Sequence, residues 1–110
     1  MPHATCKIHR ATGAVAIAST LTATRPLVIT AVRLHLDAAG GVGNFTLTLV
    51  SATAAVYNVV LLTQDMTTTT DVFWVPDQPI PVANGDGVIA AYANANSKTY
   101  GLEISYKYQV

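Results

Sequence analysis

Charge is what this sequence has least of. Of its 110 residues only 12 are charged, six Lys+Arg against six Asp+Glu, so the formal net charge is zero. That is 11% of the chain, where an average soluble domain carries about 25%. A folded monomer of this size exposes roughly 5,800 Å², or about one charge per 480 Å². Nucleic-acid binding by phosphate neutralisation is excluded, because it needs a surplus of Lys and Arg. Cysteine is nearly absent as well. Cys6 stands alone, which rules out an intrachain disulfide and a thiolate cluster for a metal. Long apolar runs are missing: Ala14-Val15-Ala16-Ile17-Ala18 and Val59-Val60-Leu61-Leu62 fall far short of the roughly 20 residues that span a bilayer. The first residues show no basic stretch leading into an apolar one, so no secretory signal is expected. The expectation is a chain made in a cytosol and not anchored in a membrane. No segment carries a helical period long enough for a helix.

What is present is apolar content, 51% of the residues, arranged with a period of two. Low charge with high apolar content is the reverse of a disordered composition. Tyr100, Leu102, Ile104, Tyr106 and Tyr108 share one face, and Gly101, Glu103, Ser105, Lys107 and Gln109 share the other. This alternation predicts a half-buried antiparallel strand. Phe45-Thr46-Leu47-Thr48-Leu49 repeats it, with threonines suited to the outer side of a pleated sheet. Between Leu27 and Leu36 the phase switches from Leu27, Ile29 and Ala31 to Val32, Leu34 and Leu36, which predicts a β-bulge near Thr30 to Val32. Residues 57–62 and 72–75 are apolar on both faces. Such strands are expected to be central, or to meet another subunit. Clusters of Gly, Asn and Pro at 39–44, 79–87 and 94–98 end the runs. Strands are expected near 4–10, 13–19, 27–37, 44–50, 55–63, 71–75, 86–93 and 99–108. The reading is a single all-β domain over 1–110, an antiparallel, jelly-roll-like β-sandwich of seven or eight strands.

Candidate chemistry is thin. His3, His9 and His35 are scattered, and a metal site needs three or four converging ligands. Cys6 with His35 is the one conceivable nucleophile–base pair, against the plainer reading of an inert thiol. Asp37, Asp65, Asp71, Asp77, Asp86 and Glu103 fall almost entirely at strand ends and turns, where Asp closes turns by bonding backbone. A glycosidase would need two of them facing across a cleft. Asn84-Gly85-Asp86-Gly87 lacks the ligand spacing of a calcium loop and reads as a tight turn. Gly40-Gly41-Val42-Gly43 precedes a strand, not a helix, so it is no phosphate cradle. Asn44-Phe45-Thr46 matches a glycosylation sequon by chance. Thr67-Thr68-Thr69-Thr70 reads as a polar surface connection. Trp74 and Tyr57 have the rings to stack on a sugar, although a Trp in a two-sided apolar run belongs more often to a core or subunit interface. No catalytic, cofactor or metal residue is assigned, and the chain is read as non-enzymatic.

Several idioms resemble small β-sandwich proteins of tailed-bacteriophage virions. They are Leu34-His35-Leu36, Gly43-Asn44-Phe45-Thr46-Leu47-Thr48-Leu49, Trp74-Val75-Pro76-Asp77, Gly85-Asp86 and Tyr100-Gly101-Leu102-Glu103-Ile104-Ser105-Tyr106. The resemblance spans roughly 27–108 and implies a head decoration (cement) protein, or a tail or fibre domain. The implied partners are the major capsid protein or other virion proteins. The implied location is the capsid surface, and a homotrimer is the favoured assembly. The low charge density independently favours an assembly component. The alternative from another class is a carbohydrate- or receptor-binding sandwich module. A cluster of exposed aromatics beside an Asp or Asn would favour the sugar reading; a dry apolar patch on a symmetric axis would favour assembly.

Overall fold

A computed structural model describes residues 6–109. Nine strands account for most of them: β1 (Cys6–Gly13), β2 (Ile17–Thr22), β3 (Leu27–Leu36), β4 (Asn44–Val50), β5 (Val59–Asp65), β6 (Asp71–Trp74), β7 (Ile80–Val82), β8 (Gly87–Tyr92) and β9 (Tyr100–Tyr108). Every pairing is antiparallel. β1 pairs with β9, β2 with β8, β3 with β6 and β4 with β5. The chain is therefore a four-deep nested hairpin. Folded over on itself, it gives two sheets, ordered β1-β9-β3-β6 and β2-β8-β4-β5. This is the wiring of a jelly roll, a β-sandwich whose two sheets share one core.

The strand count exceeds the expectation by one. β7, which the Pro79-Ile80-Pro81 cluster marks as a turn, instead lies along β3 with Leu27, Val28 and Ile29 opposite Val82, Pro81 and Ile80. Proline is tolerated there because β7 is an edge strand with only one neighbour. β6 covers the other half of the same β3 edge. A second difference lies at 55–63. Ala55–Tyr57 forms a 3-10 turn, and β5 starts only at Val59. Local bonds hold that turn: Tyr57 N–H donates to the Ala54 carbonyl, and Ser51 N–H donates to Asn58 Oδ1 at 2.8 Å. The expected strand at 13–19 is displaced too, because β1 continues to Gly13 and β2 begins at Ile17. Positions 4 and 5 of the first expected strand lie outside the described residues.

The phase switch in β3 is a bulge. Ile29 faces Tyr106 and Ala31 faces Ser105, so Thr30 is the unpaired residue. Leu27 and Ile29 before it, and Val32, Leu34 and Leu36 after it, all reach the core. From the same sheet come Tyr100, Leu102 and Ile104 of β9, Val72 of β6 and Val82 of β7. The opposing sheet contributes Ile17, Leu21, Phe45, Leu47, Val88, Ala90 and Tyr92. Fully burying one Val, Leu, Ile or Phe side chain stabilises the fold by about 1.5–3 kcal/mol. Polar groups inside are accounted for. Buried Asn94, at φ +52°, donates to the Val15 and Lys98 carbonyls and accepts from Lys98 N–H, which clamps the β8–β9 loop onto the β1–β2 turn.

β9 is internal, between β1 and β3, and the register makes a sharp prediction. Ile104 is fully buried, while Ser105 faces outward on the neighbouring position. Ile104→Asp is expected to abolish folding, because it buries an unpaired carboxylate. Ser105→Asp is expected to shift the thermal midpoint only slightly. Equal effects of the two in a thermal melt would overturn the register.

Candidate functional site

The outer face of the β1-β9-β3-β6 sheet gathers polar side chains that are far apart in sequence. Strand register sets them in two rows. One runs Thr12–Gly101–His35–Asp71 and the next runs Arg10–Glu103–Arg33–Phe73. The bulge at Thr30 makes this arrangement possible, since it puts Arg33 and His35 outward while Val32 and Leu34 stay inside. The rows line a hollow of about 680 Å³. Its floor is Gly101, where a Cβ would meet nothing within 4 Å.

Glu103 is the hub of the second row. Its Oε2 accepts from Arg10 Nε at 2.7 Å, and its Oε1 lies 2.5 Å from an Arg33 terminal nitrogen. The hydrogen bond from Arg10 chiefly, with the charges of Arg33 and Arg10 in support, holds the Glu103 carboxyl below its ordinary range. In the first row, His35 Nδ1 and Asp71 Oδ1 are 2.5 Å apart, and Thr70 Oγ1 donates to Asp71 Oδ2 at 3.1 Å. The bond with His35, then the one from Thr70, lowers the Asp71 carboxyl likewise. Thr12 is committed elsewhere, its hydroxyl donating to the Tyr100 carbonyl at 2.7 Å. Phe73 closes the second row with 71% of its surface exposed.

The other candidates disperse. Cys6 is exposed and pairs across β9 with Lys107, whereas His35 pairs with Gly101. Six positions along a strand separate them by roughly 20 Å, so they form no nucleophile–base pair. His9 turns inward, its Nε2 2.7 Å from Ser19 Oγ, and ties β1 to β2. His3 lies outside the described residues. Among the described residues no group of three His, Cys, Asp or Glu converges as a metal site. Asp37, Asp65 and Asp86 accept backbone N–H groups from Thr99, Thr67 and Ala52, the turn-closing role their positions suggest. The Asn84-Gly85-Asp86-Gly87 segment is a tight turn, with Gly85 at φ +92° and Asp86 N–H donating to the Ala83 carbonyl. Thr67 and Thr69 bond to Asp65.

The aromatic assignment changes. Trp74 is half-buried and packs against the core, so it offers no open platform. Phe73, its neighbour, is the ring exposed beside the polar rows. Tyr57 is 61% exposed, but in the turn before β5. There the expectation of a central strand fails, because β5 is an edge strand of its sheet. Residues 52–60 are all exposed, and Val56, Tyr57, Val59 and Val60 supply large apolar surfaces among them. No Asp, Glu, Lys or Arg occurs between Asp37 and Asp65. This edge therefore lacks the charges that ordinarily keep a free strand from pairing with another chain.

Two surfaces thus stand out: a hollow on one sheet, largely apolar in its lining and carrying paired charged side chains, and an uncharged apolar edge on the other. The first sets guanidinium, imidazole and carboxylate groups side by side on one sheet face. A His–Asp pair is also the base half of a hydrolytic triad, but no Ser, Thr or Cys side chain bonds to the His35 ring among the described residues. No family model and no curated protein matches the chain.

Acid titration tests the hub. Glu103 and Asp71 both have folded-state values below their unfolded ones. The stability they contribute is complete above the ordinary carboxylate range, about 4. It is lost as pH falls below that range and through the depressed values. Because these pairs are exposed, the thermal midpoint is expected to drop by only a few degrees from their loss over this acidic window, and Glu103→Gln is expected to flatten the part that Glu103 contributes. An unchanged profile in that variant would show the ion network to be thermodynamically idle.

Proposed function

We propose that the protein is a non-enzymatic structural component of a virion, a head decoration (cement) protein acting as a homo-oligomer on a phage capsid lattice. One observation carries this reading: the exposed, largely apolar residues 52–60, which lead into the open edge strand β5 within a stretch free of charged side chains. Soluble monomers rarely expose such a contiguous patch, and burial against another chain removes its cost. The free edge adds unpaired backbone N–H and C=O groups that a neighbouring strand can satisfy. The favoured trimer and the capsid partner come from the resemblance to phage virion proteins. In a three-fold ring the contact is heterologous, so the β5 edge of one copy meets a different surface of the next. Several copies held together also raise avidity for a repeating lattice.

Light scattering on the purified chain, and co-sedimentation with capsid shells, test the reading. The wild type is expected to run as an oligomer and to sediment with shells. Val56→Asp combined with Val60→Lys, both at exposed positions, is expected to leave the thermal midpoint within a few degrees and to abolish self-association and shell binding. A wild type that stays monomeric at high concentration and ignores shells would overturn the proposal.

A further inference from the structure

We infer that the hollow on the outer face of the β1-β9-β3-β6 sheet is a binding site for a neutral saccharide. The inference stands apart from the assembly reading, which rests on another edge of the molecule. It begins with Gly101. Glycine in a strand interior weakens the strand, and it marks a bulge, a tight bend or a close approach by a ligand or another backbone. Gly101 pairs in unbroken register with Thr12 on one side and His35 on the other, so no bulge explains it. Its φ lies outside the left-handed region, and a Cβ there would meet nothing within 4 Å. Neither backbone strain nor crowding within the fold requires a glycine at this position. What the missing side chain does provide is depth at the floor of the hollow.

The walls select the ligand class. Two guanidinium groups, Arg10 and Arg33, face two carboxylates, Glu103 and Asp71, and Asp71 is bonded to the His35 imidazole, so with that imidazole neutral the charges of the hollow balance. A hollow with no net charge does not draw phosphate, sulfate or an acidic peptide. It does set guanidinium donors and carboxylate acceptors side by side, within 2.7 Å of one another. A sugar hydroxyl both donates and accepts, so adjacent hydroxyls bridge such a pair without disturbing its charge balance. The exposed ring of Phe73, opposite Arg33 in register, offers the apolar face on which the C–H side of a pyranose packs. The volume of about 680 Å³ suits a small ligand, since such sites span roughly 300–1,000 Å³. A peptide strand is a poorer occupant, because the hollow sits on a sheet face, where the ladder bonds are already made.

The test uses the full chain on a printed array of neutral oligosaccharides built from glucose, galactose, mannose and N-acetylglucosamine, with sialylated and sulfated glycans beside them. The strongest neutral binder is then titrated against the wild type, Phe73→Ala and Gly101→Val. Binding to at least one neutral glycan is expected, with little loss in 0.5 M salt. Each variant is expected to lower affinity at least tenfold while keeping its thermal midpoint. Gly101→Val places a side chain on the floor at a position whose Cβ meets nothing within 4 Å, and it is expected to melt close to the wild type. Absence of neutral-glycan binding at millimolar concentration, binding confined to the charged glycans, or equal affinity in all three proteins would each overturn the site. None of these outcomes bears on self-association, which the β5-edge variants read separately.

Discussion

One extra residue in β3 governs which side chains this molecule shows to its surroundings. β3 is the longest strand, and it pairs with β9 along its whole length. Without the bulge at Thr30, strict alternation would put Leu27, Ile29, Ala31, Arg33 and His35 on a single face. That face is the core. Two cationic or titratable side chains would then be buried without partners, at a cost far above any gain from pairing. Thr30 steps the register by one, so Val32, Leu34 and Leu36 take the inner positions. Arg33 reaches Glu103 and His35 reaches Asp71 as a direct consequence. Core and polar hollow are two results of one backbone irregularity.

Much of the fold was legible because it follows from side-chain period. The alternation of Tyr100, Leu102 and Ile104 reports its own face, and the phase switch in 27–36 announces the bulge. The strands the sequence misplaced fail for local reasons. β7 is hidden by prolines that only an edge can accept. The start of β5 is hidden because Val56 and Tyr57 look like strand residues but sit in a 3-10 turn held by backbone bonds. The hollow was not legible at all. Arg10 and Glu103 are 93 positions apart, and only the β1–β9–β3 register brings them together with Arg33. Asp71 and Glu103 both resemble the other acids in sequence. The difference is that Asp37, Asp65 and Asp86 bond backbone in turns, while these two stand on strands opposite cationic or imidazole partners.

The scarcity of charge takes on a spatial meaning in the folded chain. Four of the 12 charged residues line the hollow on the β1-β9-β3-β6 sheet, whereas the segment from 38 to 64 has none. A surface charge that is paired with its neighbours contributes little to stability. It does fix the rotamers of long side chains, and that ordering is what a recognition surface requires. The uncharged segment has the opposite property. Val59 and Val60 lie on an edge strand with nothing to deter a neighbouring chain, so any association there is driven by apolar burial and backbone pairing.

The two surfaces lie on different sheets and towards opposite ends of the sandwich. Ala52 N–H donates to Asp86, and Asp86 and Gly85 bond the backbone of Ala23, just before β3 begins. The apolar patch therefore sits at the end of the sandwich where β3 starts, on the β2-β8-β4-β5 sheet. The hollow lies on the other sheet, around His35 near the far end of β3. From Leu27 to His35 is roughly 25 Å at the rise of a strand, and the thickness of two packed sheets adds to the separation. Because the surfaces share no residue, substitutions at Val56 and Val60 and substitutions at Phe73 and Gly101 should act additively on stability.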